Sequence, residues 1–139
     1  MPDIGFTHIA LPVTDLDRSV AFYERFTDLR VVHRRAQASD PSREIAWLSD
    51  LVRQFVLVLA EESSVRHPLG PFAHLGFACA SAQDVDRLCT LGRTEGCLRE
   101  HPRDTGGPAG YLGILLDPDG HTVELTFGQE TGLAVDSAT

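Results

Sequence analysis

The chain has 139 residues and a formal net charge of −8, from 20 Asp and Glu against 12 basic residues, every one an arginine. Without lysine there is no Schiff-base nucleophile, no pyridoxal-phosphate anchor and no phosphate-loop lysine; without asparagine there is no N-glycosylation acceptor. The acidic balance opposes a phosphate backbone, so nucleic acid is not an expected partner.

The length suits one compact domain with its own core. No apolar run approaches the roughly 20 residues of a membrane helix, and residues 55–60 are the longest candidate, so no membrane partner is expected. The opening Met1-Pro2-Asp3 lacks a basic segment followed by an apolar one, which makes a cytoplasmic location the expectation. Cys79, Cys89 and Cys97 form no CxxC pair and read as free, structural thiols.

In chain order, Phe6-Thr-His8-Ile-Ala-Leu-Pro-Val13 is strand-like and leads into Thr14-Asp15-Leu16-Asp17. Thr14 or Asp15 can cap a helix whose apolar face carries Leu16, Val20, Tyr23, Phe22 and Phe26. Strand-like runs follow at 29–35, 44–48 and 54–60. After the connector, Phe72-Ala-His74-Leu-Gly-Phe-Ala-Cys79 repeats the opening pattern and leads into Ser81-Ala82-Gln83-Asp84. A second helix carries Ala82, Val85, Leu88 and Cys89, and strands are expected at 96–100, 111–116 and 122–127. The last two are joined by an Asp117-Pro118-Asp119-Gly120 turn. The chain thus reads as βαβββ written twice. Residues 1–62 form the first module, 63–71 the connector, 72–128 the second module and 129–139 a loose tail, all within one α+β domain.

His8 and His74 stand at matching positions of the repeat. A lone histidine on an apolar strand is usually a core residue, whereas two related by a repeat can face one cavity. In the last strand Val123, Leu125 and Phe127 alternate with Thr122, Glu124 and Thr126, so Glu124 must meet solvent, a partner or a cavity. Two imidazoles and one carboxylate suit one divalent ion, Fe2+, Mn2+, Zn2+ or Ni2+, and leave positions open for substrate.

The paired modules, the run from His8 to Tyr23 and the closing DPDG-x-x-x-E element ending at Glu124 resemble the vicinal oxygen chelate superfamily over residues 4–128. That superfamily includes glyoxalase I, extradiol dioxygenases, fosfomycin-resistance enzymes and bleomycin-binding proteins. The resemblance implies a curved mixed sheet around a metal cleft, a homodimer, a small oxygen-bearing substrate, and His8, His74 and Glu124 as the metal ligands.

Glyoxalase I resembles this arrangement but places a fourth ligand at the repeat-equivalent of Glu124, which here is Val58. Valine can neither bind metal nor move a proton, so the ligand set favours dioxygenase-like chemistry, with glyoxalase-like lyase or thiol transferase activity as the alternative. Metal-free sequestration of a drug is a further reading. Trp47, Phe55, Val58 and Tyr111 are the candidates for contacting substrate, although core packing also explains the aromatic ones. Arg34, Arg35 and Arg43 could meet a carboxylate. His67 and His101 are candidate acid–base groups by position alone. The glycine-rich stretch 106–110 reads as a mobile loop able to close over the site.

Overall fold

The computed structural model describes residues 2–138. Its elements are β1 (His8–Val13), α1 (Leu16–Phe26), β2 (Arg30–Ala36), β3 (Glu44–Ser49), β4 (Val56–Glu61), β5 (Leu75–Ala78), α2 (Ala82–Thr94), β6 (Leu98–Asp104), β7 (Tyr111–Leu116), β8 (Thr122–Phe127) and α3 (Thr131–Ser137), with a 3-10 turn at Gly107–Ala109. The βαβββ unit occurs twice, as the repeat requires. The chain divides into two compact units at Pro68/Leu69, inside the expected connector.

Each unit is a four-stranded mixed sheet, ordered β1-β4-β3-β2 in the first and β5-β8-β7-β6 in the second. The registers match. Ala10 of β1 pairs in parallel with Val58 of β4, and Gly76 of β5 pairs in parallel with Glu124 of β8.

Both helices begin where a short polar side chain can take an orphan amide. The Asp15 carboxylate accepts from the Arg18 N–H at 3.1 Å, and the Ser81 hydroxyl accepts from the Asp84 N–H at 3.1 Å. Leu16, Phe22, Tyr23 and Phe26 of α1 are buried, as are Leu11, Val13, Ala46, Leu48, Leu57 and Leu59 of its sheet. In the second unit Val85 and Cys89 of α2 are buried, together with Leu75, Leu115, Val123 and Leu125. Each buried Leu, Val or Phe among them contributes on the order of 1.5–3 kcal/mol. Close helix–sheet approach depends on Gly113, where an added Cβ would lie 2.5 Å from the Cys89 sulfur.

Three elements differ from the sequence reading. β6 runs on to Asp104 through Pro102; it is an edge strand, where a missing N–H is tolerated, and its register shifts on both sides of Glu100. The tail is not loose throughout, because Thr131–Ser137 forms a short exposed helix begun by an Ala134 N–H donating to the Glu130 carbonyl at 2.9 Å. The 106–110 stretch is tied down rather than free: the Thr105 hydroxyl donates to Gly110 O at 2.6 Å and the Glu130 N–H to Pro108 O at 3.0 Å. Among the described residues no helix is long and apolar enough to cross a membrane.

Candidate metal centre

Strand alternation decides which side chains share a face with Glu124. Its partners across the ladder are Gly76 on β5 and Ile114 on β7, and His74 lies two residues before Gly76. Glu124 is 7 % exposed, an unusual state for a carboxylate in the middle of a central strand. Gly76 leaves open space beside it, since a Cβ there would meet nothing within 4 Å. Leu112 and Ile114 on the neighbouring strand give the face an apolar wall.

The His74 Nε2 lies 3.3 Å from the Glu124 carboxylate. Its Nδ1 is 2.6 Å from the Phe72 carbonyl, which can only accept, so Nδ1 carries the proton. In the neutral ring Nε2 is then a lone pair aimed at a carboxylate. Two acceptors at this separation call for a shared cation, either a proton on the imidazole or a metal ion. The donor chemistry of the pair therefore fits a divalent ion.

His8 belongs to the first unit, exposed at the start of β1, with Nδ1 2.7 Å from the Thr7 hydroxyl. That hydroxyl can accept the Nδ1 proton and leave Nε2 available, the same tautomer as His74. Among the described residues no three His, Cys, Asp or Glu side chains are grouped as a metal site. The structure thus brings together His74 and Glu124 of the expected ligand set.

Val58 is buried on β4 between Ala10 and Trp47. By alternation along β1, it shares its face with His8. Trp47 is 39 % exposed, and its ring centre lies 5.0 Å from that of His33 on β2. Phe55, just before β4, is also partly exposed. Tyr111 differs from these. It alternates onto the face opposite Ile114 and Glu124, and its hydroxyl donates to Asp86 on α2, which raises the phenol pKa. It ties strand to helix on the covered side of the sheet.

Arg34 is held by Asp17 at 2.8 Å and Glu44 at 2.7 Å, and Arg43 by Asp40 and Glu62, so both are engaged in ion pairs. Arg35 donates to the Ala36 carbonyl. His67 is exposed on the connector. His101 lines a cavity of about 140 Å³ between α2 and β6, with Asp86, Thr90 and Arg93 among its other walls. Neither His74 nor Glu124 lines it. His121, which opens the glutamate-bearing motif, is fully buried and accepts the Leu69 N–H at its Nδ1, a structural contact.

A sequence model of the Glyoxalase/Bleomycin resistance protein/Dioxygenase superfamily matches residues 5–125. The chain belongs to that superfamily. Its matched span takes in the first βαβββ module and nearly all of the second, and ends just after Glu124. Within the superfamily the chain is 38 % identical to the uncharacterized protein PA2024 of Pseudomonas aeruginosa, over 91 % of this chain and 90 % of that protein. It is 27 % identical to lactoylglutathione lyase GLX1 of Arabidopsis thaliana, over 86 % of this chain but only 43 % of the lyase. The chain therefore spans less than half the length of that enzyme. In fold it is similar to a variant of the fosfomycin resistance protein FosX of Listeria monocytogenes, crystallised with Mn(II) and 1S,2S-dihydroxypropylphosphonic acid. That likeness has a TM-score of 0.73 at 18 % identity, covering 96 % of this chain and 98 % of FosX.

The sequence reading named His74 and Glu124 but not the group that holds the His74 ring. The Phe72 carbonyl that fixes the His74 ring is a backbone atom, and no side-chain pattern announces it.

Proposed function

We propose that this protein is a divalent-metal-dependent enzyme acting on a small substrate that presents adjacent oxygens, with His8, His74 and Glu124 as the metal ligands. The observation that carries the reading is the His74–Glu124 pair, an imidazole nitrogen and a buried carboxylate 3.3 Å apart beside open space at Gly76. A metal bound there would supply Lewis acidity and, if iron, a centre for oxygen chemistry.

The chain's own residues have distinct roles in this reading. The Phe72 carbonyl holds the proton on Nδ1 of His74 and so keeps Nε2 free to ligate. Glu124 contributes the single carboxylate, flanked by apolar Ile114 and Leu112, which keep water from competing on that side. Trp47 and Val58, on the face of the first sheet that carries His8, contact the apolar part of the substrate, with Phe55 near the start of β4.

One carboxylate with two imidazoles matches the set used for dioxygenase-like chemistry. Similarity to lactoylglutathione lyases favours a second reading, a glyoxalase-like isomerisation. Val58 weighs against it, because no carboxylate stands at the repeat-equivalent of Glu124 to move a proton. A homodimer is part of the proposal, as is a cytoplasmic site of action.

Elemental analysis of protein purified without chelator is expected to give about one divalent ion per chain, lost in Glu124→Ala and His74→Ala. A metal-free protein that binds a cationic drug tightly would overturn the enzymatic reading. Anaerobic Fe(II) loading followed by oxygen uptake on a catechol panel tests the leading reaction. No uptake, with turnover of a hemithioacetal under Ni(II) or Zn(II), would replace it with the second.

A further inference from the structure

We infer that Arg99 is a positioning residue for the His74–Glu124 pair. Arg99 lies on β6, on the other side of β7 from β8, and its side chain is 27 % exposed. One guanidinium nitrogen donates to the Thr122 hydroxyl at 3.0 Å and the other to the Pro71 carbonyl at 3.2 Å. Pro71 is the residue before Phe72, whose carbonyl orients His74. Thr122 lies two residues before Glu124 on the same strand and so on the same face.

The fork therefore joins the two segments that carry the pair. The segment from Leu69 to His74 has no helix or strand of its own, so its shape depends on such ties. The Thr122 N–H donates to the Leu69 carbonyl at 2.8 Å, and the Leu69 N–H to His121 Nδ1 at 2.8 Å. Those two bonds fix where the loop begins. Arg99 fixes it two residues later, next to the carbonyl that decides the tautomer of His74. Gly70 permits the close passage over β8, since a Cβ there would lie 2.7 Å from the Thr122 hydroxyl. A planar fork with two separated donors suits this geometry, and a lysine ammonium matches it only in part.

The inference rests on the proposal that the pair ligates metal, so two readouts keep the claims apart. The first is the 15N shifts of the His74 imidazole in metal-free protein at alkaline pH, where neutral tautomers are distinguished. Wild type is expected to show Nδ1 protonated, and Arg99→Gln a mixture of tautomers. The second is Zn(II) affinity by competition with a chelator, expected to weaken about tenfold in Arg99→Gln. Arg99→Lys is expected to recover part of both, and Thr122→Val, which removes only the hydroxyl acceptor, to shift both in the same direction by less. These last two variants decide the matter if Arg99→Gln fails to fold. Unchanged His74 shifts, with Zn(II) affinity within twofold of wild type, would overturn the inference. Altered shifts in a protein whose wild type binds no metal would uphold the positioning role and overturn the metal reading instead.

Discussion

Val58 stands in β4 where Glu124 stands in β8. Each pairs with the small residue of the parallel neighbour strand, Ala10 and Gly76 respectively, at the same 48-residue separation. The duplicated sheet thus offers one carboxylate at this register position, not two, and the asymmetry separates this chain from a site with a carboxylate in both halves.

Substituting Val58→Glu tests what that asymmetry costs. Val58 is 8 % exposed, so an unpartnered carboxylate there is expected to destabilise the metal-free protein by about 2 kcal/mol or more. If the position can serve as a fourth ligand, added Ni(II) or Zn(II) should recover part of the loss. Urea unfolding with and without metal measures both effects. A neutral substitution would mean that the valine is not desolvated.

Glu124 is expected to trade stability for function. A buried carboxylate whose neighbour is an imidazole lone pair is an unfavourable arrangement in the absence of a cation. At alkaline pH, where the imidazole carries no extra proton, metal-stripped Glu124→Gln should therefore unfold at the same temperature as stripped wild type or a higher one, while losing metal retention. A thermal midpoint clearly below that of stripped wild type would make Glu124 a structural group.

Cys89 and Gly113 should be energetically coupled. A Cβ at Gly113 would press on the Cys89 sulfur, so Gly113→Ala is expected to cost about 1–3 kcal/mol, and less in a Cys89→Ala background. A double-mutant cycle by chemical denaturation reads the coupling. Equal costs in the two backgrounds would show that the clash is relieved elsewhere.

Burial pushes the Cys89 thiol up to about 11 from an ordinary 9.0. The native thiol should thus resist a thiolate-directed reagent near neutral pH and react only on unfolding. Because the folded pKa is the higher one, the associated stability is complete below the unfolded thiol's pKa and is lost as pH rises from about 9 through 11. Stability in Cys89→Ala should lack this alkaline component. Rapid labelling of native Cys89 near neutral pH would contradict the burial argument.

The helix caps give a fifth test. Asp15→Ala and Ser81→Ala are each expected to lower stability by about 1 kcal/mol, with the helices otherwise intact by circular dichroism. Effects of only a few tenths would mean that water replaces the side-chain oxygen.

Local chemistry made the duplicated βαβββ order readable from the chain alone. Period-two runs around His8 and Glu124, helical spacing of Leu16, Tyr23, Val85 and Cys89, caps at Asp15 and Ser81, and the Asp117–Gly120 turn each act over a few residues. They leave their mark in consecutive letters. Mid-strand Glu124 stood out for the same reason, as a carboxylate where alternation demands a place to point.

What only the tertiary structure decided concerns partners far apart in the chain. Tyr111 was expected near substrate, and the antiparallel register of β7 with β8 turns it toward Asp86 on α2 instead. Pro102 lies within β6 because that strand is an edge, which depends on sheet order. The ties from Arg99 to Pro71 and Thr122, and from His121 to Leu69, span 23 to 52 residues. Hydrogen bonds of that reach have no periodicity, so His74 and Glu124 were legible in the sequence and the residues that tie their two segments together were not.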